Sequence, residues 1–161
     1  MTIKAGDQIP DVTLTRMGAN GPEPIQTGDY FKGRKVMLFS VPGAFTPTCH
    51  KTHLPGFVRH AEAIKAKGVA AIAVVAVNDI FALDAWLEAT SAKGKIDGLA
   101  DGSVVFAKTT GTELDLAAHG LGVRAQRYAA LVDDGVVKWI DIEDNASCAT
   151  VSSAEAALNR L

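Results

Sequence analysis

Nine consecutive apolar residues, Val69 to Val77, constrain the architecture of this chain more than any other feature. The run is far too short to cross a bilayer, which takes about 20 residues. It also lacks the alternation of a strand with one wet face. A strand apolar on both faces belongs at the centre of a parallel sheet with helices packed on either side. Parallel neighbours are joined by crossovers, so helices are expected before and after it. Upstream, Leu54, Phe57, Val58, Ala61 and Ile64 recur at helical spacing and predict a helix from about Thr48 to Lys67, ended by Gly68. Pro55 lies inside that pattern and predicts a kink or break there. Downstream, Asn78-Asp79 offers an N-cap, and Ile80, Leu83, Trp86, Leu87 and Thr90 predict a second helix ending near Gly94.

The remaining elements fall around this core. Val36 to Val41 is a strand stopped by Pro42-Gly43. Leu99 to Gly102 reads as a strand end and turn, Ser103 to Lys108 as a short helix, and Glu113 to Gly122 as a glycine-punctuated connection. Tyr128 to Val132 and Val136 to Ile142, set about Asp133-Asp134-Gly135, predict a hairpin. Ser152 or Ser153 caps a last helix with Val151, Ala154, Leu158 and Leu161 on one stripe. Ile3 to Leu14 is expected to add an amino-terminal strand or hairpin, and Arg16 to Gly28 an exposed loop. Strand–helix–strand–helix, hairpin, helix is the order of the thioredoxin fold, an α/β architecture with a right-handed crossover and an antiparallel edge pair. At 161 residues and 16.8 kDa, residues 1–161 make a single domain of ordinary size.

Charge excludes some functions. Sixteen Lys and Arg against eighteen Asp and Glu give a net charge of -2, with no basic block to attract nucleic acid or a membrane surface. No apolar segment follows Lys4, so the amino terminus does not read as a secretory signal, and a cytoplasmic location is expected. Two cysteines, Cys49 and Cys148, are too few for a disulfide scaffold or a cysteine-only metal site. Each is either a buried small hydrophobe or a reactive thiol.

Position favours reactivity for Cys49. It lies in the first turn of the first predicted helix after a strand, where free backbone N–H groups and the helix dipole favour a thiolate. Thr46 is placed to cap that helix and Pro47 suits its first position. His53, four residues on, could face Cys49. A Cys–His hydrolase would need an oxyanion hole and an orienting Asn or Asp that the sequence does not signal. A zinc site would need ligands that His50, His60 and His119 do not supply at any known spacing. Packing or polarising the pocket floor is the plainer role for His53, with His60 facing solvent.

The stretch Val41-Pro-Gly-Ala-Phe-Thr-Pro-Thr-Cys-His-Lys-Thr-His-Leu-Pro-Gly-Phe57 resembles the active-site segment of the type II, or peroxiredoxin-five-like, subfamily of peroxiredoxins. The likeness extends to Lys4–Pro10, Val77-Asn-Asp79, Leu99–Gly102, Gly122-Val-Arg-Ala-Gln-Arg-Tyr128 and Val151–Glu155. Its most specific part is Pro-x-x-x-Thr-x-x-Cys at Pro42, Thr46 and Cys49. The resemblance implies a thiol peroxidase in antioxidant defence, acting on hydrogen peroxide and alkyl hydroperoxides. Cys49 is then the peroxidatic cysteine, Thr46 and Pro42 shape its pocket, and Arg127, directly before Tyr128, is the active-site arginine, with Arg124 as a competitor or supporting partner. No cofactor or metal is implied. Reductant comes from glutaredoxin with glutathione or from thioredoxin, and a homodimer is expected. His50 departs from the smaller residue of the family.

Cys148 is the candidate resolving cysteine. It falls slightly earlier than the family's carboxy-terminal resolving position relative to Val151-Ser-Ser153, and Ala71 to Val77 lacks the alternative one. An external resolving thiol is therefore expected. Two other classes stand beside the peroxidase. One is a redox-sensing or chaperone-like protein that uses the same cysteine as a switch. The other is a thiol–disulfide oxidoreductase, disfavoured because position 52 is Thr and no Cys-x-x-Cys pair exists.

Overall fold

The chain enters its sheet through an antiparallel hairpin, β1 (Thr13–Gly18) and β2 (Gly21–Gln26), where a loop was expected. Pro22 and Pro24 made this segment look irregular, but β2 is the sheet's edge, where a residue without an N–H is tolerated. Leu14 and Ile25 face each other across the pair, both buried. The preceding residues form no hairpin of their own. They run beside the opposite edge, where Gln8 bridges Val136 and Ile9 N–H donates to the Gly135 carbonyl at 2.7 Å. The computed structural model describes residues 1–161.

Helix α1 (Thr27–Phe31) leads to β3 (Lys35–Val41), then α2 (Leu54–Arg59), α3 (Ala61–Ala66) and β4 (Ala71–Ala76). Next come α4 (Ile80–Ala89), β5 (Asp97–Ala100) and α5 (Val105–Thr110), with β6 (Glu113–Leu116) and β7 (Gly122–Ala125) after them. Then β8 (Tyr128–Asp133), β9 (Val136–Ile142) and α6 (Ala154–Leu158) complete the chain. The main sheet has the order β2-β1-β5-β4-β3-β8-β9, with β3, β4 and β5 parallel and the flanking pairs antiparallel. The expected central strand, β4, is buried along its whole length.

Period two along β3 sends successive side chains to opposite layers. Met37 and Phe39 join Leu54, Phe57, Ile64, Trp86 and Ala154 in one core. Val36 and Leu38 join Tyr30, Phe31 and Phe106 in the other. Asp79 caps α4 by accepting from Ala82 N–H at 2.8 Å, as its position predicts. At the β8–β9 turn, Asp134 and Gly135 both take positive φ (50° and 79°), the geometry a two-residue hairpin requires.

Three local expectations are corrected. The stretch from Glu113 to Gly122 is not only a connection: β6 and β7 pair as a second, two-stranded sheet around a 3₁₀ turn at Ala117–His119. Val151 is 45% exposed and lies before α6, which Ser153 caps through Ala156 N–H. The long helix does break, but at His60, where φ is -100° and ψ 9°, rather than at Pro55. Proline in the first turn of α2 is harmless because the preceding turn, Cys49–His53, is π-helical and hands Leu54 N–H to the Cys49 carbonyl.

Candidate active site

Beyond β3 the chain turns sharply at Pro42-Gly43, and Asn78 holds the turn by accepting from Ala44 N–H at 2.9 Å. The Thr46 carbonyl accepts from His50 N–H at 2.8 Å, which starts the helix. Its hydroxyl does not cap that helix. Thr46 Oγ1 lies 2.7 Å from the Gly43 carbonyl and 2.9 Å from Cys49 Sγ, so its one proton serves the carbonyl or the sulfur. Cys49 is free and fully buried.

Arg127 is 2% exposed and reaches the same sulfur, Nη2 donating to Cys49 Sγ at 3.0 Å. Its remaining nitrogens are also held: Nε donates to the Ala146 carbonyl and Nη1 to His53 Nδ1, both at 2.9 Å. Arg124 does not touch the sulfur. Its guanidinium spans the carbonyls of Val77 (3.0 Å), Leu121 (2.8 Å) and Pro42 (3.5 Å), tying the carboxy ends of β3 and β4 to the segment before β7. The two arginines therefore occupy different places, Arg127 on the sulfur and Arg124 behind the Pro42 turn.

His53 is 1% exposed and its tautomer follows from its partners. The Ser152 carbonyl, 2.8 Å from Nε2, can only accept, so Nε2 carries the proton. Nδ1 then presents its lone pair to Arg127. Burial first, and the Arg127 charge second, push the imidazole pKa down to about 3. A neutral ring with its free nitrogen taken by a guanidinium cannot be the base of a Cys–His hydrolase.

That depression predicts acid sensitivity. The unfolded chain protonates His53 near pH 6.5 and the folded chain only near 3, so the stability it lends is present above pH 6.5 and lost between those values. Each pH unit within the window costs about 1 kcal/mol. Urea unfolding of the parent and of His53→Gln at pH 6.5, 5.5 and 4.5 checks this. The parent should lose stability the more steeply, and parallel curves would count against a buried neutral imidazole.

Pro42, Thr46, Thr48, Leu116, Arg127 and Ser147 are among the residues lining a cleft of about 650 Å³. Cys49 itself lies behind that lining, fully buried and bonded to two of its members, Thr46 and Arg127. Thr48 Oγ1 donates to the Ser147 carbonyl at 2.7 Å, closing one rim. Cys148, next in sequence, is exposed on the loop between β9 and α6. His50 is turned to another use: its Nδ1 accepts from Trp86 Nε1 at 3.1 Å and its ring stacks on Phe45. His60 is half-buried rather than fully solvent-facing, 4.0 Å from Glu155. No group of three His, Cys, Asp or Glu side chains comes together to hold a metal ion.

Sequence reasoning missed several supports. Asn78 read only as a cap, Ser152 only as a helix start, and the Ala146 carbonyl had no signal at all. Glu143, whose carboxylate accepts from Thr150 and Ser152, carries no sequence signal either.

A thioredoxin fold with a buried thiol at a helix start, held between a threonine hydroxyl and a guanidinium, defines a class of thiol oxidoreductases. The chain matches the Redoxin family model over residues 4–158. It is 46% identical over 166 residues to Peroxiredoxin-2E-2, chloroplastic, of Oryza sativa subsp. japonica, covering 99% of this chain and 73% of that one. Peroxiredoxin-2B of Arabidopsis thaliana is 42% identical over 162 residues, covering 99% and 98%. Among solved structures, reduced Prx3 of Vibrio vulnificus in complex with H2O2 superposes with a TM-score of 0.94 at 45% identity, over 99% of each chain. The chain belongs to the Redoxin family, and within it to the peroxiredoxins, thiol peroxidases of antioxidant defence.

Proposed function

We propose that Cys49 is the peroxidatic nucleophile of a type II peroxiredoxin, reducing hydrogen peroxide and small alkyl hydroperoxides that approach through the cleft lined by Pro42, Thr46 and Arg127. The observation that carries this is the convergence of Thr46 Oγ1 and Arg127 Nη2 on Cys49 Sγ, at 2.9 and 3.0 Å. The thiolate attacks one peroxide oxygen, the O–O bond breaks, and the other oxygen leaves as hydroxide or alkoxide and takes a proton. Cys49 becomes a sulfenic acid. Thr46 aligns the incoming peroxide with the sulfur. Arg127 stabilises first the thiolate and then the charge spreading over the oxygens. Pro42 supplies a rigid wall with no N–H to compete for the substrate.

The type II assignment is supported by the Pro42–Phe57 segment and by the names of the plant relatives. The reading further includes a homodimer and a cytoplasmic location, with two reduced cysteines suited to a reducing compartment. An external thiol is taken as the resolving partner, from glutaredoxin with glutathione or from thioredoxin. Condensation of that thiol with the sulfenic acid releases water and leaves a mixed disulfide for the next thiol to reduce.

Cys148 is expected to be dispensable. Cys49 Sγ is buried against Thr46 and Arg127 while Cys148 is exposed, so the two sulfurs meet only if the π-helical turn unwinds or the loop swings in. The test is peroxide consumption by the parent and by Cys148→Ser, with glutathione and glutaredoxin in parallel with thioredoxin. Both proteins should turn over at similar rates with at least one reductant. Loss of turnover in the variant with every reductant would show instead that Cys148 resolves Cys49.

A further inference from the structure

The loop between β9 and α6 holds the Arg127 guanidinium at two points, once directly and once through His53, and makes no side-chain hydrogen bond to Cys49 itself. The Ala146 carbonyl takes Arg127 Nε–H at 2.9 Å. The Ser152 carbonyl takes His53 Nε2–H at 2.8 Å, which leaves His53 Nδ1 aimed at Arg127 Nη1. Both carbonyls belong to one loop, held near Ala146 by Thr48 on the Ser147 carbonyl and at its far end by the side chain of Glu143. Glu143 Oε2 accepts from Thr150 N–H at 2.7 Å, from Ser152 N–H at 2.8 Å and from Ser152 Oγ–H at 2.6 Å. The Glu143 backbone N–H in turn donates to the Arg127 carbonyl at 2.9 Å. The acid is thus anchored to Arg127 by its main chain and clamps the far end of the loop by its side chain.

We infer that Glu143 is a positioning residue for peroxide reduction: its carboxylate clamps the Glu143–Ser152 loop so that two loop carbonyls, one directly and one through His53, aim the Arg127 guanidinium at Cys49. This rests on Cys49 and Arg127 being the peroxide-reducing pair. A guanidinium acts on the transition state only while its donors stay aimed, and a misplacement of about 1 Å can cost up to 10²-fold. The same clamp keeps Cys148 at the surface. Opening the loop frees the Cys148 thiol to meet the Cys49 sulfenic acid, forming the S–S bond and releasing water. Loss of the clamp therefore has two separable signatures, slower oxidation of Cys49 and readier bridging to Cys148.

The experiment compares Glu143→Ala and Glu143→Gln with the parent. It measures the second-order reaction of the reduced proteins with hydrogen peroxide, the pH dependence of Cys49 alkylation, and the Cys49–Cys148 disulfide formed after one equivalent of peroxide. Glu143→Ala should react about 10-fold more slowly, be alkylated only at higher pH, and form more of the disulfide. Glu143→Gln, which keeps an acceptor oxygen, should stay within about 3-fold of the parent. A purely structural role would lower the melting temperature without moving the alkylation profile of the folded protein. If Glu143→Ala does not fold, Ser152→Ala, which removes one hydrogen bond and leaves the Ser152 carbonyl in place, is expected to give the same shifts at smaller amplitude. A folded Glu143→Ala with parental peroxide rate and parental alkylation profile overturns the inference. A parent protein in which Cys49 does not react with peroxide overturns the peroxidase assignment instead, and the alkylation profile still tests the hold of Glu143 on Arg127.

Discussion

Cys49→Ser should consume peroxide no faster than protein-free solution while keeping the fold. No other thiol lies beside Thr46 and Arg127, since Cys148 is exposed on its loop, and the serine hydroxyl cannot be oxidised to a counterpart of the sulfenic acid. Serine is nearly isosteric, and its oxygen falls between Thr46 Oγ1 and Arg127 Nη2, which already satisfy the sulfur at 2.9 and 3.0 Å. The buried hydroxyl is therefore hydrogen-bonded, and a melting temperature within several degrees of the parent is expected. A coupled peroxidase assay together with a thermal melt checks both halves. Parental turnover by the serine variant would remove the assignment of Cys49.

Arg127→Gln should slow the reaction of Cys49 with peroxide by about 10²-fold or more, the scale of removing a donor aimed at developing charge. The pH needed for alkylation of Cys49 should rise at the same time. The substitution also strips donors from the Ala146 carbonyl and from His53 Nδ1, both inside the site, so stability should fall by roughly 1–3 kcal/mol for each group left unpaired. Arg124→Gln is the control. Its guanidinium holds carbonyls behind the Pro42 turn and makes no contact with the sulfur, so its effect on the peroxide rate should be the smaller. If Arg124→Gln gives the larger loss in rate, the two arginines have been assigned in the wrong order.

Much of the site was legible because its signals are local. A strand ending at Pro42-Gly43, a helix beginning near Thr46, and a cysteine in the first turn follow one another within a dozen residues, and short-range backbone rules govern each step. The double-faced burial of β4 and the Asp134-Gly135 hairpin were legible for the same reason.

What escaped depends on partners far apart in sequence or on a strand's place in the sheet. Pro22 and Pro24 argue against a strand until β2 is known to be an edge. The π-helical turn reconciles Pro55 with a helix that starts before Cys49, and no residue pattern distinguishes it from an ordinary α-turn. His53 and Ser152 are 99 residues apart, and His53 and Arg127 are 74 apart. Their alignment depends on β8 lying beside β3 and on the return of the chain from β9 to α6, which single-residue chemistry does not specify. Only the family resemblance separates Arg127 from Arg124 in the sequence, since both precede β8 and composition treats them alike.

Transfer of the peroxide oxygen to Cys49 is the step on which the proposed peroxidase chemistry depends. It is tested most directly by treating the fully reduced protein with one equivalent of hydrogen peroxide in the presence of a sulfenic-acid trap, then mapping the adduct by peptide mass spectrometry. A near-stoichiometric adduct on the peptide carrying Cys49, with Cys148 unmodified, is the expected result. An adduct confined to Cys148, with Cys49 left as a free thiol, would contradict it.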